Sequence, residues 1–383
     1  MTRGRWGRGA RMGRRAGTRG KLGRGRWSEV GLESPETCPQ NGAAGEVLRK
    51  RPRGRMDLRL RAGALGVRRG ARWAVGMVLG MGLLVACDES PPPRRPQKVR
   101  STPYAQRDVV LRGVGGLDSL RIRYIEVRPR EDVGSAVLIV PGHTSRIEGY
   151  DALTEVLRAR HRVWVLDLPG SGYSDHPDVG YDLRFFEDVI VEFLDELHPE
   201  PIFLVGGSQG GNLALRLGAR FPERFPRLAV WAPGSAWEPM PVAAKALQLI
   251  GGRMTFWPVV WGQSRFWYGK EWSGRDAALA ATFDYYEEIM SPGFRRMYFG
   301  LASDQLGKSL FPVAPSIDSP VWLGWGDQDH GGNMGEGVEM LAATIPNCEL
   351  RIFPGARHAL AAEVPVELGE AIDQFLRRGI PAR

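Results

Sequence analysis

The chain has 383 residues and a formal charge of +9, but this charge is unevenly distributed. Residues 1–87 hold 20 Lys and Arg against 5 Asp and Glu, which leaves 32 basic and 38 acidic side chains for the other 296 residues. The part of the chain that is apolar enough to fold is therefore acidic, and we exclude nucleic acid as its partner.

Residues 1–55 are predicted to be disordered. Seventeen of the first 26 residues are Arg or Gly without an apolar period, so this segment cannot bury enough surface to offset the entropy of ordering it. It is either a basic tail for nucleic acid or sequence upstream of the true start. We favour the second interpretation, because a start at Met56 opens an export signal.

Residues 56–86 have the pattern of an export signal. An Arg-rich stretch precedes a run of 14 apolar residues and Gly from Trp73 to Ala86, too short for the roughly 20 residues of a membrane span but long enough for a signal-peptide core. The ending Leu-Val-Ala-Cys at 84–87 resembles a bacterial lipoprotein signal. The resemblance implies that Cys87 becomes a lipidated N-terminus, which would anchor the protein to a membrane outside the cytoplasm. A short buried helix or an uncleaved anchor is the alternative.

Residues 87–106 are predicted to be the lipidated cysteine and a tether, since the stretch at 90–97 is rich in Pro and polar residues and should be extended. Asp88 resembles an inner-membrane retention signal of some bacteria, but this rule does not transfer between groups, so the choice of membrane stays open. Beyond Cys87 the exported chain keeps only Cys348. It can form no internal disulfide, and its core must be held by packing.

From residue 107 onward, strand-like and helix-like segments alternate, which predicts an α/β fold with a mostly parallel sheet and helices on both faces. Residues 120–127 alternate apolar and charged side chains, as a half-exposed strand does. The runs at 136–142, 162–170 and 201–207 are continuously apolar and predict strands covered on both faces. Helices are predicted between them, at 150–160, 181–197 and 212–221.

Residues 235–315 interrupt this alternation. They are rich in aromatic residues at helix-like spacing and contain no series of strands, which predicts a helical insertion between core segments 107–234 and 316–383. The sheet is expected to resume at 320–329. A helix near 334–345, a strand from 348 and a closing helix at 362–378 should follow. Ligand sites in such sheets lie at the carboxyl ends of the strands.

Ser208 lies in the sequence Gly-Gly-Ser-Gln-Gly between a predicted strand and a predicted helix. The spacing G-x-S-x-G at such a junction is typical of a nucleophile elbow, whose turn strains the serine backbone. Gly206 and Gly210 are expected because side chains there would collide where strand and helix approach. The helix N-terminus also favours a developing negative charge. A phosphate-binding loop or a structural turn is the alternative.

A serine nucleophile requires a base and a carboxylate that orients the base. His358 follows the last predicted strand, in the order Ser, acid, His. The acid should precede it, where Asp327 and Asp329 follow the strand at 320–329, with Glu238 as a third candidate. The other five histidines are interpreted as packed or solvated side chains: His143, His161, His176, His198 and His330.

These motifs, in this order over residues 107–378, resemble the α/β-hydrolase superfamily. The resemblance implies an eight-stranded, mostly parallel sheet with a helical cap after the sixth strand, at 235–315. The family pattern G-x-x-D in the acid loop is matched by Gly326 and Asp329, so the resemblance selects Asp329 over Asp327. Residues 166–175 resemble its D-x-x-G-x-G-x-S segment, in which Ser174 is expected to be structural.

The resemblance also implies an oxyanion hole, in which two backbone N–H groups stabilise the charge on a carbonyl oxygen. One donor is expected from Gln209, directly after the nucleophile. The other is expected from the residue after the glycine in the loop Pro141–Thr144. This chain has Pro-Gly where the family usually has His-Gly, so His143 would donate through its backbone.

A serine nucleophile argues against epoxide hydrolases and haloalkane dehalogenases, which need aspartate. Carboxylesterases, monoacylglycerol-lipase-like enzymes, lactonases, C–C bond hydrolases and serine aminopeptidases remain. The aromatic cap favours an apolar ester of moderate size. An aminopeptidase would need a cap carboxylate to hold the substrate ammonium, with the candidates Glu271, Asp284, Glu287 and Glu288. An inactive surface binding protein is the alternative of another class. We expect no metal and no cofactor, because no ligand spacing or nucleotide loop is present.

Overall fold

The computed structural model describes residues 102–131, 135–198, 200–251, 255–329 and 334–379. The predicted disordered segment, the export signal, Cys87 and His330 lie outside the described residues. An eight-stranded sheet runs through the described part in the order β1-β2-β4-β3-β5-β6-β7-β8. Its strands are β1 Gln106–Leu111, β2 Leu120–Val127, β3 Ala136–Val140, β4 Arg162–Leu166, β5 Phe203–Gly207, β6 Leu228–Trp231, β7 Val321–Gly326 and β8 Cys348–Phe353.

Strands β3 to β8 are parallel to one another, whereas β2 is antiparallel to both β1 and β4. The predicted eight-stranded, mostly parallel sheet is therefore confirmed. The parallel strands β3, β5 and β6 are buried along almost their whole length, as their continuous apolar runs predict.

Ten α-helices lie in the described residues, and none of them is long and apolar enough to cross a bilayer. They are α1 Asp151–Leu157, α2 Leu183–Leu197, α3 Gln209–Arg220, α4 Pro241–Ile250, α5 Phe256–Ser264, α6 Arg275–Glu288, α7 Pro292–Leu306, α8 Met334–Thr344, α9 Leu360–Glu363 and α10 Pro365–Arg377. The predicted closing helix thus consists of a short and a long helix, because Pro365 starts a new one.

Helices cover both faces of the sheet. On one face α2 contacts β2, where the rings of Phe193 and Tyr124 meet edge to face at 5.4 Å. On the other face Phe375 of α10 lies under the Arg227 guanidinium, at 4.8 Å, and α1 packs beside α10. At the start of α2 the Asp182 carboxylate caps the helix, because it accepts the Phe185 N–H.

Helices α4 to α7 lie between β6 and β7, within residues 235–315, which we call the insertion. Its aromatic side chains form one edge-to-face cluster that packs against the core. The members with the most contacts are Phe256, Tyr286, Phe294 and Tyr298, which are all at most 2% exposed. Ser235 fixes the beginning of the insertion, because its hydroxyl donates to the Gln305 carbonyl and accepts from Asn212.

A buried ion pair holds the loops that follow β3 and β4. The Asp167 carboxylate, completely buried after β4, accepts hydrogen bonds of 2.8 Å from the Arg123 guanidinium and from the backbone of Ile147 and Tyr173. Ser174 donates to the Asp167 carbonyl and accepts from the Arg123 N–H. One carboxylate therefore fixes two loops at the carboxyl edge of the sheet.

Replacing Arg123 by Ala should destabilise the protein by about 3–5 kcal/mol, because Asp167 would stay buried without its cation. Denaturant unfolding measures this loss. Arg107→Ala is the matched control, since its pair with Glu126 is half-exposed and should contribute about 0–1 kcal/mol. Equal losses for both variants would contradict the assigned role of Asp167.

Candidate active site

Ser208 occupies a strained turn between β5 and α3. Its backbone has φ 55° and ψ −121°, a region that costs a residue with a side chain about 1–3 kcal/mol. Backbone hydrogen bonds hold it there, from Ser208 N to Trp231 O at 3.0 Å and from Gly234 N and Asn212 N to Ser208 O at 2.9 and 3.1 Å. The side chain is half-buried at the carboxyl edge of the sheet.

Gly206 and Gly210 are required by close approaches around this turn. A Cβ atom on Gly206 would lie 2.7 Å from the carbonyl carbon of Gly210, as the sequence predicts. A Cβ atom on Gly210 would lie 1.9 Å from the carbonyl oxygen of Val140. A side chain at position 210 would therefore collide with the end of β3 rather than with β5, which the sequence did not predict.

His358 and Asp329 are brought together at the ends of β7 and β8. His358 Nδ1 lies 2.8 Å from Asp329 Oδ2, and the Asp329 side chain is 1% exposed. Gly326 permits this approach, because a Cβ there would lie 2.4 Å from the carbonyl oxygens of Ala356 and Arg357. Since Nδ1 is bonded to the carboxylate, Nε2 is the ring nitrogen available for proton transfer.

Asp327 and Glu238, the other two candidate acids, are exposed. Asp327 Oδ1 accepts the Gly355 N–H at 2.8 Å and so holds the turn that leads to His358. Of these three candidates, only Asp329 contacts the His358 imidazole in the described part of the chain.

The environment of His358 favours its protonated form. Burial alone would lower the pKa of His358, but the charge and hydrogen bond of Asp329, with the charge of Glu363, raise the pKa above the ordinary value. The site can therefore accept a proton on His358 and stabilise the resulting imidazolium.

The loop after β3, Pro141–Thr144, lies beside Ser208. A Cβ on Gly142 would be 3.5 Å from the Ser208 Cβ. The Gly142 N–H is already bonded to the Tyr150 hydroxyl, at 2.8 Å. Gln209 is the first residue of α3, a position whose N–H has no partner within the helix.

The His143 side chain packs against the insertion. Its ring centroid is 4.8 Å from that of Tyr298. Burial lowers the pKa of His143 to about 4, although a backbone contact with Tyr298 partly opposes this shift. His143 is therefore neutral at neutral pH, and its packed state agrees with the sequence interpretation of its side chain.

The insertion contacts the loops that follow β3, β4 and β8. The Tyr285 hydroxyl accepts the Gly172 N–H at 2.6 Å, and the Tyr286 hydroxyl is hydrogen-bonded to Thr144 Oγ1. Ala359, next to His358, donates to the Trp267 carbonyl at 3.0 Å. The sequence signalled these aromatics only as an apolar cluster, and the polar contacts of the hydroxyls went unpredicted.

Three of the four candidate carboxylates of the insertion are exposed, whereas Asp284 is half-buried. Glu271, Glu287 and Glu288 are exposed, and Glu288 accepts the Tyr173 hydroxyl at 2.9 Å. A cavity of about 190 Å³ in the insertion is lined by Phe256, Trp257, Glu287, Met290 and Arg295, without Ser208, Asp329 or His358. Within the described ranges, no three His, Cys, Asp or Glu side chains are grouped as metal ligands would be.

Three further histidines have packing roles. His161 is fully buried between Ser135, at 2.6 Å, and Asp373, at 3.0 Å, at the amino end of β4. His176 bonds to Ser291 at 3.1 Å, and the His198 ring lies 5.0 Å from Trp164. Ser135, His161 and Asp373 thus form a second Ser-His-Asp series, at the amino edge of the sheet. A location at the carboxyl edge is therefore also needed to identify the site.

The chain is similar to known hydrolases. The sequence profile described as "alpha/beta hydrolase fold" matches residues 135–363. The chain is 24% identical over 271 residues to an uncharacterised protein of Mycobacterium tuberculosis, covering 65% of this chain and 77% of that one. It is also 24% identical to a monoacylglycerol lipase of Xenopus laevis, over 63% of this chain and 75% of that one. A thermophilic esterase from Thermogutta terrifontis superposes with a TM-score of 0.62 at 20% identity, covering 72% of this chain and 100% of that one.

Asp329→Asn should lower the pKa of His358, because the amide removes the negative charge that favours the imidazolium. A histidine NMR titration of the purified protein measures this shift. Asp327→Asn is the matched control, since its amide oxygen can still accept the Gly355 N–H and it does not touch the imidazole. A larger shift in the Asp327 variant would overturn the assignment of the acid.

Proposed function

This chain belongs to the alpha/beta hydrolase family, and we propose from that membership and from the site that it is a serine hydrolase cleaving a carboxylic ester. The observation that carries the proposal is the hydrogen bond between His358 and the buried Asp329 at the same sheet edge as the strained turn of Ser208. A serine at such a turn is exposed to substrate and needs a base of this kind.

In the proposed reaction Ser208 Oγ attacks the ester carbonyl carbon while His358 Nε2 accepts its proton. Asp329 keeps the imidazole oriented through Nδ1 and stabilises its positive charge. The backbone N–H groups of Gln209 and His143 bind the oxygen that becomes negative in the tetrahedral intermediate. His358 then protonates the leaving alcohol, and the acyl group remains on Ser208.

Water completes the cycle by the same chemistry in reverse order. His358 takes a proton from water, which attacks the acyl-serine carbonyl. Collapse of the second tetrahedral intermediate releases the carboxylic acid and returns the proton to Ser208. One water molecule is consumed for each ester cleaved, and with it the reaction balances.

The insertion acts in this proposal as the cap that selects the substrate. Its buried aromatic cluster reaches the site through Tyr286 and Tyr298, which favours an apolar ester of moderate size. The similarity to a monoacylglycerol lipase and to an esterase supports an ester bond. Of the four candidate carboxylates only Asp284 is half-buried, and Glu271, Glu287 and Glu288 are exposed. An ammonium site is therefore poorly supported, and an aminopeptidase is the less supported function.

The location of the enzyme is proposed from the sequence. The Arg-rich stretch, the 14-residue apolar run and the ending Leu-Val-Ala-Cys support lipidation at Cys87. The enzyme would then act at a membrane surface outside the cytoplasm, which suits an apolar ester as substrate.

Ser208→Ala should reduce hydrolysis of p-nitrophenyl esters by about 10⁴-fold or more, because only the nucleophilic hydroxyl is lost. The rates are measured across acyl lengths, and the acyl-enzyme is sought by mass spectrometry of the wild-type protein. Ser316→Ala, an exposed serine before the amino end of β7, is the control. Full activity of the Ser208 variant would refute the nucleophile. Hydrolysis of aminoacyl p-nitroanilides instead of esters would move the assignment to an aminopeptidase.

Cys87→Ser should abolish fatty-acid labelling of the full chain in a bacterial host and move the protein out of the membrane fraction, because the thiol is the attachment point. Gel fluorescence with an alkyne-tagged fatty acid measures the label. Cys348→Ser is the matched control and should keep it. Persistent labelling of the Cys87 variant would contradict the proposed anchor.

A further inference from the structure

The loop that carries His358, residues 354–359, is fixed from two sides. On the side of β7 the Gln328 N–H bonds to the Ala356 carbonyl at 3.0 Å. On the side of the insertion the Ala359 N–H bonds to the Trp267 carbonyl at 3.0 Å. The position of the imidazole therefore depends on contacts with a segment about 90 residues earlier in the chain.

The Arg357 guanidinium connects these two sides. Its Nε donates to the Gln328 carbonyl at 3.1 Å, next to Asp329. Its Nη1 donates to the carbonyls of Arg265 at 2.8 Å and Tyr268 at 3.5 Å, both in the insertion. The Arg357 guanidinium thus joins the loop that carries Asp329, the loop that carries His358 and the insertion.

Glu363 completes this connection from the end of α9. Its Oε2 accepts the N–H of Arg357 and the N–H of Gly269, both at 3.1 Å. A Cβ on Gly269 would lie 2.8 Å from that oxygen, so a larger residue there would displace the carboxylate. Within the described residues Glu363 Oε1 is buried and has no hydrogen-bond partner.

We propose that Glu363 is a positioning residue for ester hydrolysis, which ties the His358 loop to the insertion and whose negative charge stabilises the His358 imidazolium. The inference rests on the proposed function for its consequence on rate. The loop geometry and the charge effect can be measured without turnover.

Among the described residues, charged and titratable groups face both His358 and Glu363. His358 faces Asp329 and Glu363, whereas Glu363 faces Arg357, His358 and the Tyr268 hydroxyl. Burial raises the pKa of Glu363, against the hydrogen bonds it accepts from the backbone of Arg357 and Gly269. Above that raised pKa the carboxylate is charged and favours the imidazolium.

The direction in which the pKa of His358 should shift follows from the charge that the substitution removes. Glu363→Gln keeps an oxygen that can accept both N–H groups but removes the charge, so the pKa of His358 should fall. The acid limb of kcat/KM, which reports loss of the neutral base, should move to lower pH by about half a unit. Glu363→Ala also removes the acceptor that ties the His358 loop to the insertion. This variant should lower kcat by about tenfold with little change in KM.

The experiment has two arms. In the first, histidine NMR titration in a Ser208→Ala background compares the pKa of His358 with and without Glu363→Gln, and needs no catalysis. In the second, pH profiles with a p-nitrophenyl ester are recorded for the wild type, Glu363→Gln and Glu363→Ala. Glu367→Gln, an exposed glutamate of α10, is the control for general loss of negative charge.

The outcomes separate the two proposals. A fall in the pKa of His358 in the first arm and a shifted acid limb, both absent in Glu367→Gln, support the role of Glu363. An unchanged pKa, or an equal shift in the control, overturns it even if the enzyme is fully active. A wild type without Ser208-dependent activity refutes the proposed function. The pKa of His358 in the first arm then still tests the role of Glu363.

Discussion

The strained turn at Ser208 is the constraint on which the rest of the site depends. Its left-handed backbone is held by hydrogen bonds to the ends of β6 and α3, and it fits only because Gly210 passes within contact distance of β3. Parallel strands end at one edge, so the loops after β3, β7 and β8 must gather around this turn. The serine is thus fixed by the sheet, and the other groups are placed relative to it.

The insertion is bonded directly to the loops around the candidate site. Tyr285 bonds to the loop after β4, Tyr286 to the loop after β3, and Trp267 to the loop after β8. The buried Asp167 joins two of these loops from below. The segment proposed to select the substrate therefore also restrains the groups proposed to react with it.

Much of the fold could be predicted from the sequence, because burial leaves a direct record in it. The apolar runs and their order predicted the parallel strands to within a few residues. The ends of the elements were less predictable: the run at 162–170 leaves the sheet after Leu166, since the Asp167 carboxylate turns inward to Arg123. The residues alone did not decide whether Asp327 or Asp329 is the acid. Both lie in one loop, and only the position of His358 after β8 distinguishes them.

The sequence by itself determined the sheet, the helical insertion and the local pattern around Ser208, because these follow from hydrophobic periodicity and from the backbone freedom of glycine at fixed short spacings. Only the tertiary structure decided which acid meets His358, which tyrosines reach the loops, and that Glu363 joins Arg357 to Gly269. Those contacts join residues from several to more than a hundred positions apart, as Thr144 and Tyr286 illustrate with a separation of 142. No local pattern records such a distance, because it is set by the packing of the whole chain.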